Sequence, residues 1–170
     1  MSVAIIGAGA FGTALAVSLA AKGPVTLWGR DVSWGRENPR LPGVTLPAQV
    51  STTDDLAAIT ARILLLALPA QKLGTFLAAN AAKLARPGRS FVSCAKGIDL
   101  ETLQGPTALI ARTLPDAPVA VLTGPSFAAD IARGLPTALT LASASPDDAL
   151  ALQHALSTPN LRLYRSTDVA

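Results

Sequence analysis

The chain has 170 residues, of which 50% are hydrophobic, 15% are charged and 4% are aromatic. This length and composition suit one domain with a hydrophobic core and exclude a disordered chain. The formal net charge of +3 is modest, and basic residues are not interleaved with aromatic ones, so we expect no nucleic-acid partner. The single cysteine, Cys94, and the single histidine, His154, exclude an internal disulfide and argue against a metal site or a Ser-His-Asp triad.

We expect neither a signal peptide nor a membrane span. No Lys or Arg precedes the apolar run at the N-terminus, and Gly7, Gly9 and Gly12 interrupt that run with a meaningful spacing. The very apolar segment at residues 63–70 is short and lies between Arg62 and Lys72. A soluble, cytoplasmic protein is therefore the expectation.

Short apolar runs alternate along the chain with longer segments rich in Ala and Leu. Most of these runs are apolar throughout, as expected for strands that are covered on both faces of a sheet. The predicted strands are residues 3–6, 25–28, 49–51, 63–68, 91–93, 119–122, 138–142 and 161–164.

The composition of the segments between these strands predicts helices. Residues 11–21 and 70–85 have the composition of helices packed on a sheet, whereas residues 53–55 and 146–148 offer N-capping side chains for helices that follow them. Residues 29–47 hold prolines and charges and predict an irregular crossover. Strands that alternate with helices indicate an α/β fold in which a doubly wound, mostly parallel sheet carries helices on both faces. We expect residues 1–170 to form one domain.

The spacing Gly7-x-Gly9-x-x-Gly12 directly follows the first predicted strand and opens the helix from Phe11. In that context the glycines are typical of a Rossmann-type dinucleotide-binding domain. Gly7 would permit a tight turn, Gly9 would let the backbone approach a pyrophosphate, and Gly12 would let the helix lie close to the strand. The N–H groups at the helix start would bind the phosphates, so we expect NAD or NADP as the cofactor.

The residues that follow the second strand distinguish NAD from NADP. An acidic residue there would bind the ribose 2′-hydroxyl, whereas Arg30 suits a ribose 2′-phosphate. Asp31 comes next and would serve NAD if the strand ran further. We predict that NADPH is accepted, and the alternative is that Arg30 is a solvated surface charge.

The loops after the other parallel strands would meet the glycine-rich turn at the carboxyl edge of the sheet. They bring Pro69, Lys96 and Ser126 to that edge. A cation at Lys96 can bind an anionic or carbonyl-bearing substrate, and the Ser126 hydroxyl could donate to a substrate oxygen. The alternatives are a surface lysine at position 96 and, for Ser126, the N-cap of a helix over residues 127–133.

Ordered segments across nearly the whole chain resemble bacterial NAD(P)-dependent glycerol-3-phosphate dehydrogenases. The most specific match is Gly124-Pro125-Ser126-Phe127-Ala128. The other matching segments are residues 7–16, 27–30, 38–44, 96–98, 134–138 and 162–164, followed by Asp168. A resemblance of this extent is much more specific than a dinucleotide fingerprint alone.

The resemblance implies an oxidoreductase that interconverts sn-glycerol 3-phosphate and dihydroxyacetone phosphate with NAD or NADP in the cytoplasm, in a step that feeds glycerophospholipid synthesis. It places Lys96, Gly124 and Ser126 at the substrate. The cofactor-binding residues predicted by the glycine motif and the resemblance together are Gly7, Gly9, Ala10, Phe11, Gly12, Arg30, Pro69, Lys96 and Ala128.

The chain departs from the family pattern in two respects. The crossover after Arg30 is shorter than the family's usual helix there, which affects contacts with the adenine. The sequence also ends at Ala170, before the helical domain that carries the general acid/base lysine in this family. We therefore expect no catalytic residue in this chain and no turnover by it alone.

Two other functions stay open at this point. The chain could be a non-catalytic nucleotide-binding module or truncated remnant, or a reductase of the 6-phosphogluconate dehydrogenase type, such as a ketopantoate reductase. Residues 96–97 and 124–128 favour the glycerol-3-phosphate dehydrogenase over the latter. For the full-length protein, a homodimer is the partner arrangement to consider.

Overall fold

One sheet of eight strands, with helices on both faces, forms the scaffold in the computed structural model, which describes residues 2–169. The strands are β1 (Val3–Ile6), β2 (Val25–Trp28), β3 (Val50–Thr53), β4 (Ile63–Leu66), β5 (Ser90–Ser93), β6 (Val119–Thr123), β7 (Thr137–Ala142) and β8 (Leu161–Ser166). The helices are α1 (Ala10–Leu19), α2 (Ala70–Leu84), α3 (Pro106–Thr113), α4 (Ala128–Ala132) and α5 (Pro146–Leu156), with a 3₁₀ turn over Ala20–Lys22. None of the helices within residues 2–169 combines the length and the apolar character that a membrane crossing requires.

The strand order across the sheet is β3-β2-β1-β4-β5-β6-β7-β8. Neighbouring strands run parallel except β6 and β7, which pair antiparallel. The chain builds outward from β1 to β3 and then returns to β4 on the other side of β1, so the winding direction reverses between β1 and β4. In doubly wound sheets, ligands bind outside the carboxyl ends of the strands at such a reversal. The predicted Rossmann-type α/β fold is therefore confirmed.

Alternate residues of the central strands supply two hydrophobic cores, one on each face of the sheet. Val3 and Ile5 of β1 pack on the face covered by α1 and α5, whereas Ala4 and Ile6 pack on the face covered by α2 and α3. Every residue of β1 and β4 is buried. This two-sided burial explains why both strands are apolar throughout instead of alternating.

Some element boundaries differ from those predicted. Strand β4 ends at Leu66 rather than at residue 68, because the chain leaves the sheet at Ala67 to pass the glycine-rich turn. Helix α5 begins at Pro146, and its N-cap is Ser145, whose hydroxyl oxygen accepts the Asp148 N–H at 3.2 Å. The crossover over residues 29–49 consists of turns and one isolated bridge, as its irregular composition indicated.

The helix predicted after residues 53–55 is wrong, because residues 56–61 form turns. Arginine side chains bind the carbonyl oxygens that such a helix would use. Arg86 donates to the Ala57 carbonyl at 3.0 Å. Arg89 donates to the carbonyls of Ile59 and Ala61 at 2.8 and 2.9 Å. Tertiary hydrogen bonds therefore override the local capping signal.

Arg89 is 2% exposed and ties this turn segment to the end of α2. Besides Ile59 and Ala61, its guanidinium donates to the Leu84 carbonyl at 2.8 Å. A buried guanidinium is tolerated here because charge-assisted bonds to carbonyl dipoles replace its water.

Replacing Arg89 with Met is expected to lower the free energy of unfolding by about 3 kcal/mol, because buried carbonyl groups would lose their donors. Equilibrium unfolding in urea measures the change. Arg62→Met is the control, because Arg62 directly follows the same turns in the sequence and its side chain is exposed. Equal unfolding midpoints for the two variants would contradict this role of Arg89.

Candidate dinucleotide and substrate site

In the turn between β1 and α1, neighbouring backbone atoms lie so close together that two positions accept only glycine. Gly7 has a φ of 120°, and a Cβ there would lie 2.3 Å from the Ala67 carbonyl oxygen. A Cβ on Gly12 would lie 2.0 Å from the Gly7 carbonyl oxygen. Any side chain at either position would push α1 away from the carboxyl ends of β1 and β4.

Gly9 differs from its neighbours because the space beside it is open. A Cβ on Gly9 would meet no heavy atom of the described residues within 4 Å. Gly9 is the N-cap of α1, and within residues 2–169 no side chain caps this helix start. The start of α1 therefore borders an open space, called the cradle below, which a side chain at position 9 would enter. A pyrophosphate fits this cradle, because the N–H groups and the helix dipole both favour an anion.

Two adjoining clefts open on either side of this turn, with volumes of about 430 Å³ and about 580 Å³. The 430 Å³ cleft, called the first cleft below, is lined by Gly7, Ala8, Gly9, Trp28, Gly29, Arg30, Asp31, Arg40, Ala67, Leu68 and Pro69. The 580 Å³ cleft, the second cleft, is lined by Gly9, Ala10, Phe11, Gly12, Ala67, Leu68, Pro69, Ala70, Gln71, Cys94, Ala95 and Lys96. Because Gly9 and residues 67–69 belong to both linings, the clefts form one continuous groove across the winding reversal.

Most of the residues predicted to bind the cofactor line this groove. Arg30 lies in the first cleft, Phe11 and Lys96 lie in the second, and Pro69 borders both. Ala128 is outside both linings. It packs instead with Ala10 and Phe11 around the small core of Ala14, Leu41 and Ile131.

A buried asparagine that the sequence reasoning gave no role holds the irregular crossover onto the glycine-rich turn. Asn38 is 1% exposed. Its Nδ2 donates to the Ala8 carbonyl at 3.0 Å and to Thr13 Oγ1 at 2.7 Å. Its Oδ1 accepts the Arg40 N–H at 3.0 Å. The only sequence signal for this role was the match of residues 38–44 to the family, which named no partner for Asn38.

Lys96, from the loop after β5, lines the second cleft and is bonded to the loop after β6. Lys96 Nζ donates to the Gly124 carbonyl at 3.2 Å, so the structure joins two of the residues predicted to bind substrate. Ser126 Oγ is buried and has no hydrogen-bond partner among the described residues. A buried hydroxyl without a partner is unfavourable in the free protein and favours a ligand that supplies the missing bond.

The capping alternative for Ser126 is wrong. Helix α4 begins at Ala128 with Phe127 as its N-cap, and no side chain within residues 2–169 caps it. The hydroxyl of Ser126 is therefore not used by the helix that follows it.

Cys94 lies in the second cleft but is not a nucleophile. Burial raises the pKa of the Cys94 thiol to about 12. The thiol therefore stays protonated at neutral pH, and the reactive thiolate is not formed.

Another cavity, of about 400 Å³, lies at the opposite, amino edge of the sheet. Its lining includes Arg86, Gly88, Arg89 and Asp116. The Arg89 guanidinium there is already bonded to backbone carbonyls. The groove at the carboxyl edge is the better candidate site, because no side chain within residues 2–169 caps the start of α1 that it contains.

Comparisons with known proteins show the family of the chain. The sequence model of the family described as "NAD-dependent glycerol-3-phosphate dehydrogenase N-terminus" matches residues 2–149. The glycerol-3-phosphate dehydrogenase [NAD(P)+] of Paracoccus denitrificans is 71% identical over 171 aligned residues, which cover 99% of this chain and 54% of that protein. The enzyme of the same name from Cereibacter sphaeroides is 57% identical, and the alignment covers 98% of this chain and 52% of that enzyme.

A solved structure shows the same relationship. The crystal structure of glycerol-3-phosphate dehydrogenase from Coxiella burnetii has a TM-score of 0.89 and 29% identity, over 98% of this chain and 54% of that one. This chain thus spans about half the length of the relatives that it matches. The resemblance drawn from the sequence motifs is confirmed, and the chain belongs to the family of the NAD-dependent glycerol-3-phosphate dehydrogenase N-terminus.

Proposed function

We propose that this chain binds NADP(H) or NAD(H) and is the cofactor-binding part of an enzyme that interconverts sn-glycerol 3-phosphate and dihydroxyacetone phosphate. The observation that carries this proposal is the open cradle at Gly9, in the middle of a groove that crosses the winding reversal of the sheet. The names of the relatives supply the reaction. The cofactor, when bound, accepts or donates the hydride.

The groove divides the cofactor between its two clefts. The N–H groups at the start of α1 hold the pyrophosphate. The first cleft, with Arg30 and Asp31 at its rim, takes the adenosine half. The second cleft, with Phe11 and Pro69 in its lining, takes the nicotinamide half. Apolar residues in the second cleft offer the nicotinamide ring a surface to pack against.

Lys96 and Ser126 bind the substrate in this proposal. The ammonium of Lys96 has three donors, of which the Gly124 carbonyl takes one. The others can bind a phosphate or a carbonyl oxygen that gains charge during reduction. Ser126 supplies a hydroxyl that has no hydrogen-bond partner among residues 2–169. Together they position an anionic, oxygen-rich substrate beside the nicotinamide half of the groove.

We also propose that this chain alone binds without turnover. Reduction of a ketone needs a general acid for the nascent alkoxide. In the second cleft, the titratable side chains are the protonated Cys94 and Lys96, and Lys96 is assigned above to binding the substrate. The general acid/base is therefore assigned to the part of the full-length relatives that this chain does not span. A cytoplasmic location belongs to the same proposal, because the resemblance implies it, and a homodimer is the arrangement to test for the full-length protein.

The first test of this function is replacement of Gly9 by Val. The side chain would fill the cradle and is expected to weaken NADPH binding at least about tenfold, or about 1.4 kcal/mol. Fluorescence or calorimetric titration measures the dissociation constant.

Gly105→Val is the matched control for this test. Gly105 is also an N-cap glycine with extended backbone, and a Cβ added to it would meet no heavy atom of residues 2–169 within 4 Å. We expect this variant to bind NADPH like the wild type. If both variants keep wild-type affinity, the pyrophosphate does not sit at Gly9.

The second test separates ligand binding from structure at Ser126. Ser126→Ala is expected to keep or raise the stability, by up to about 1 kcal/mol, because a buried hydroxyl without a partner is removed. It is expected at the same time to weaken binding of glycerol 3-phosphate to the chain saturated with NADP⁺, as measured by calorimetry.

Ser145→Ala is the control for this second test. The Ser145 hydroxyl caps α5, so its loss should cost about 1 kcal/mol of stability without any effect on glycerol 3-phosphate. A loss of stability in Ser126→Ala as large as that in Ser145→Ala would show that Ser126 serves the fold and not a ligand.

A further inference from the structure

Arginines from two separate segments face the first cleft. Arg30 follows β2, and Arg40 lies in the irregular crossover. Both side chains are exposed at the rim, and Asp31 lines the cleft with them. The local charge at the adenosine end is therefore set by two cations and one carboxylate.

The Asp31 carboxylate is engaged in its own turn. Its Oδ1 accepts the Ser33 N–H at 2.9 Å and the Ser33 hydroxyl at 2.7 Å. The Ser33 N–H and then the Ser33 hydroxyl lower the pKa of Asp31, and the positive charge of Arg40 adds to this effect. One of the two carboxylate oxygens that a NAD-selective acid would offer to the ribose hydroxyls is thus engaged within residues 31–33.

Arg40 is held at a defined place beside the glycine-rich turn. Its N–H donates to Asn38 Oδ1, and Asn38 in turn bonds to the Ala8 carbonyl and to Thr13. On its other side Leu41 is 5% exposed and packs in the small core with Ala14. Two buried anchors therefore flank Arg40, so its guanidinium works from a fixed backbone position and not from a free loop.

We propose that Arg40 is the second cation of the site for the ribose 2′-phosphate, acting together with Arg30, and that it makes the chain selective for NADP(H) over NAD(H). This inference rests on the proposed function, since it requires the adenosine half to lie in the first cleft. A phosphate monoester carries roughly −1.5 to −2 charges near neutral pH. Two guanidinium groups match that charge and offer paired hydrogen bonds.

Stacking of Arg40 on the adenine ring is the competing role. A cation over the adenine ring would strengthen the binding of NADPH and of NADH equally, because both carry adenine. A contact with the 2′-phosphate helps NADPH alone. The difference between the two cofactors therefore decides which role Arg40 has.

The experiment measures dissociation constants of NADPH and NADH for the wild type, Arg30→Ala, Arg40→Ala and the double variant. We expect Arg40→Ala to weaken the binding of NADPH at least about tenfold and the binding of NADH less than about twofold. Arg30→Ala should also weaken NADPH binding more than NADH binding. Lys83→Ala is the charge-matched control, because Lys83 is exposed in the last turn of α2, away from the groove. Urea unfolding of each variant verifies the fold.

Two nucleotide probes sharpen the result without any turnover. Arg40→Ala should bind adenosine 2′,5′-bisphosphate less tightly than the wild type does, whereas its affinity for adenosine 5′-monophosphate should be unchanged. An equal loss for NADPH and NADH, or no loss for either, would overturn the role of Arg40 while leaving the proposed function intact. If the folded wild type bound neither dinucleotide, both this inference and the proposed function would fall.

Discussion

The closeness of α1 to the end of β1 is the constraint on which the rest of the site depends. A Cβ on Gly12 would stand 2.0 Å from the Gly7 carbonyl oxygen, and one on Gly7 would stand 2.3 Å from the Ala67 carbonyl oxygen. The absence of both side chains lets the helix start directly above the carboxyl ends of β1 and β4. Its first N–H groups, which no side chain of residues 2–169 caps, therefore lie at the groove.

The position of that helix start organises the chemistry around it. The groove continues on one side into a rim with Arg30, Asp31 and Arg40, and on the other into a largely apolar cleft that ends at Lys96. A charged rim suits a phosphorylated ribose, whereas an apolar cleft with a single ammonium suits a nicotinamide ring and a small anionic substrate. The irregular crossover has a function in this arrangement, because Asn38 anchors it to the glycine-rich turn.

The parts of the structure that could be predicted from sequence are those with local causes. β1 and β2 have the predicted bounds, and β1 is apolar throughout because it is buried on both faces of the sheet. The glycine roles also follow from local sterics, since the spacing directly after a strand specifies a close approach of backbone to backbone.

The parts that escaped prediction depend on residues distant in the sequence. The helix expected after residue 55 is replaced by turns because Arg86 and Arg89, which follow α2, bind the carbonyls of that segment. The role of Asn38 depends on Ala8 and Thr13, far before it in the chain. Ser126 looked like a helix cap because capping is the usual local use of serine, whereas the helix begins later and leaves its hydroxyl buried and unpaired.

Amide chemical shifts test the central claim most directly, because the claim concerns backbone N–H groups. In ¹H–¹⁵N spectra of the chain titrated with NADPH, the largest changes are expected at the amides of Gly9, Ala10 and Phe11. The amide of Gly105, which is also a helix N-cap, should stay in place. Changes concentrated instead around Arg86 and Gly88, at the cavity on the amino edge, would contradict the account.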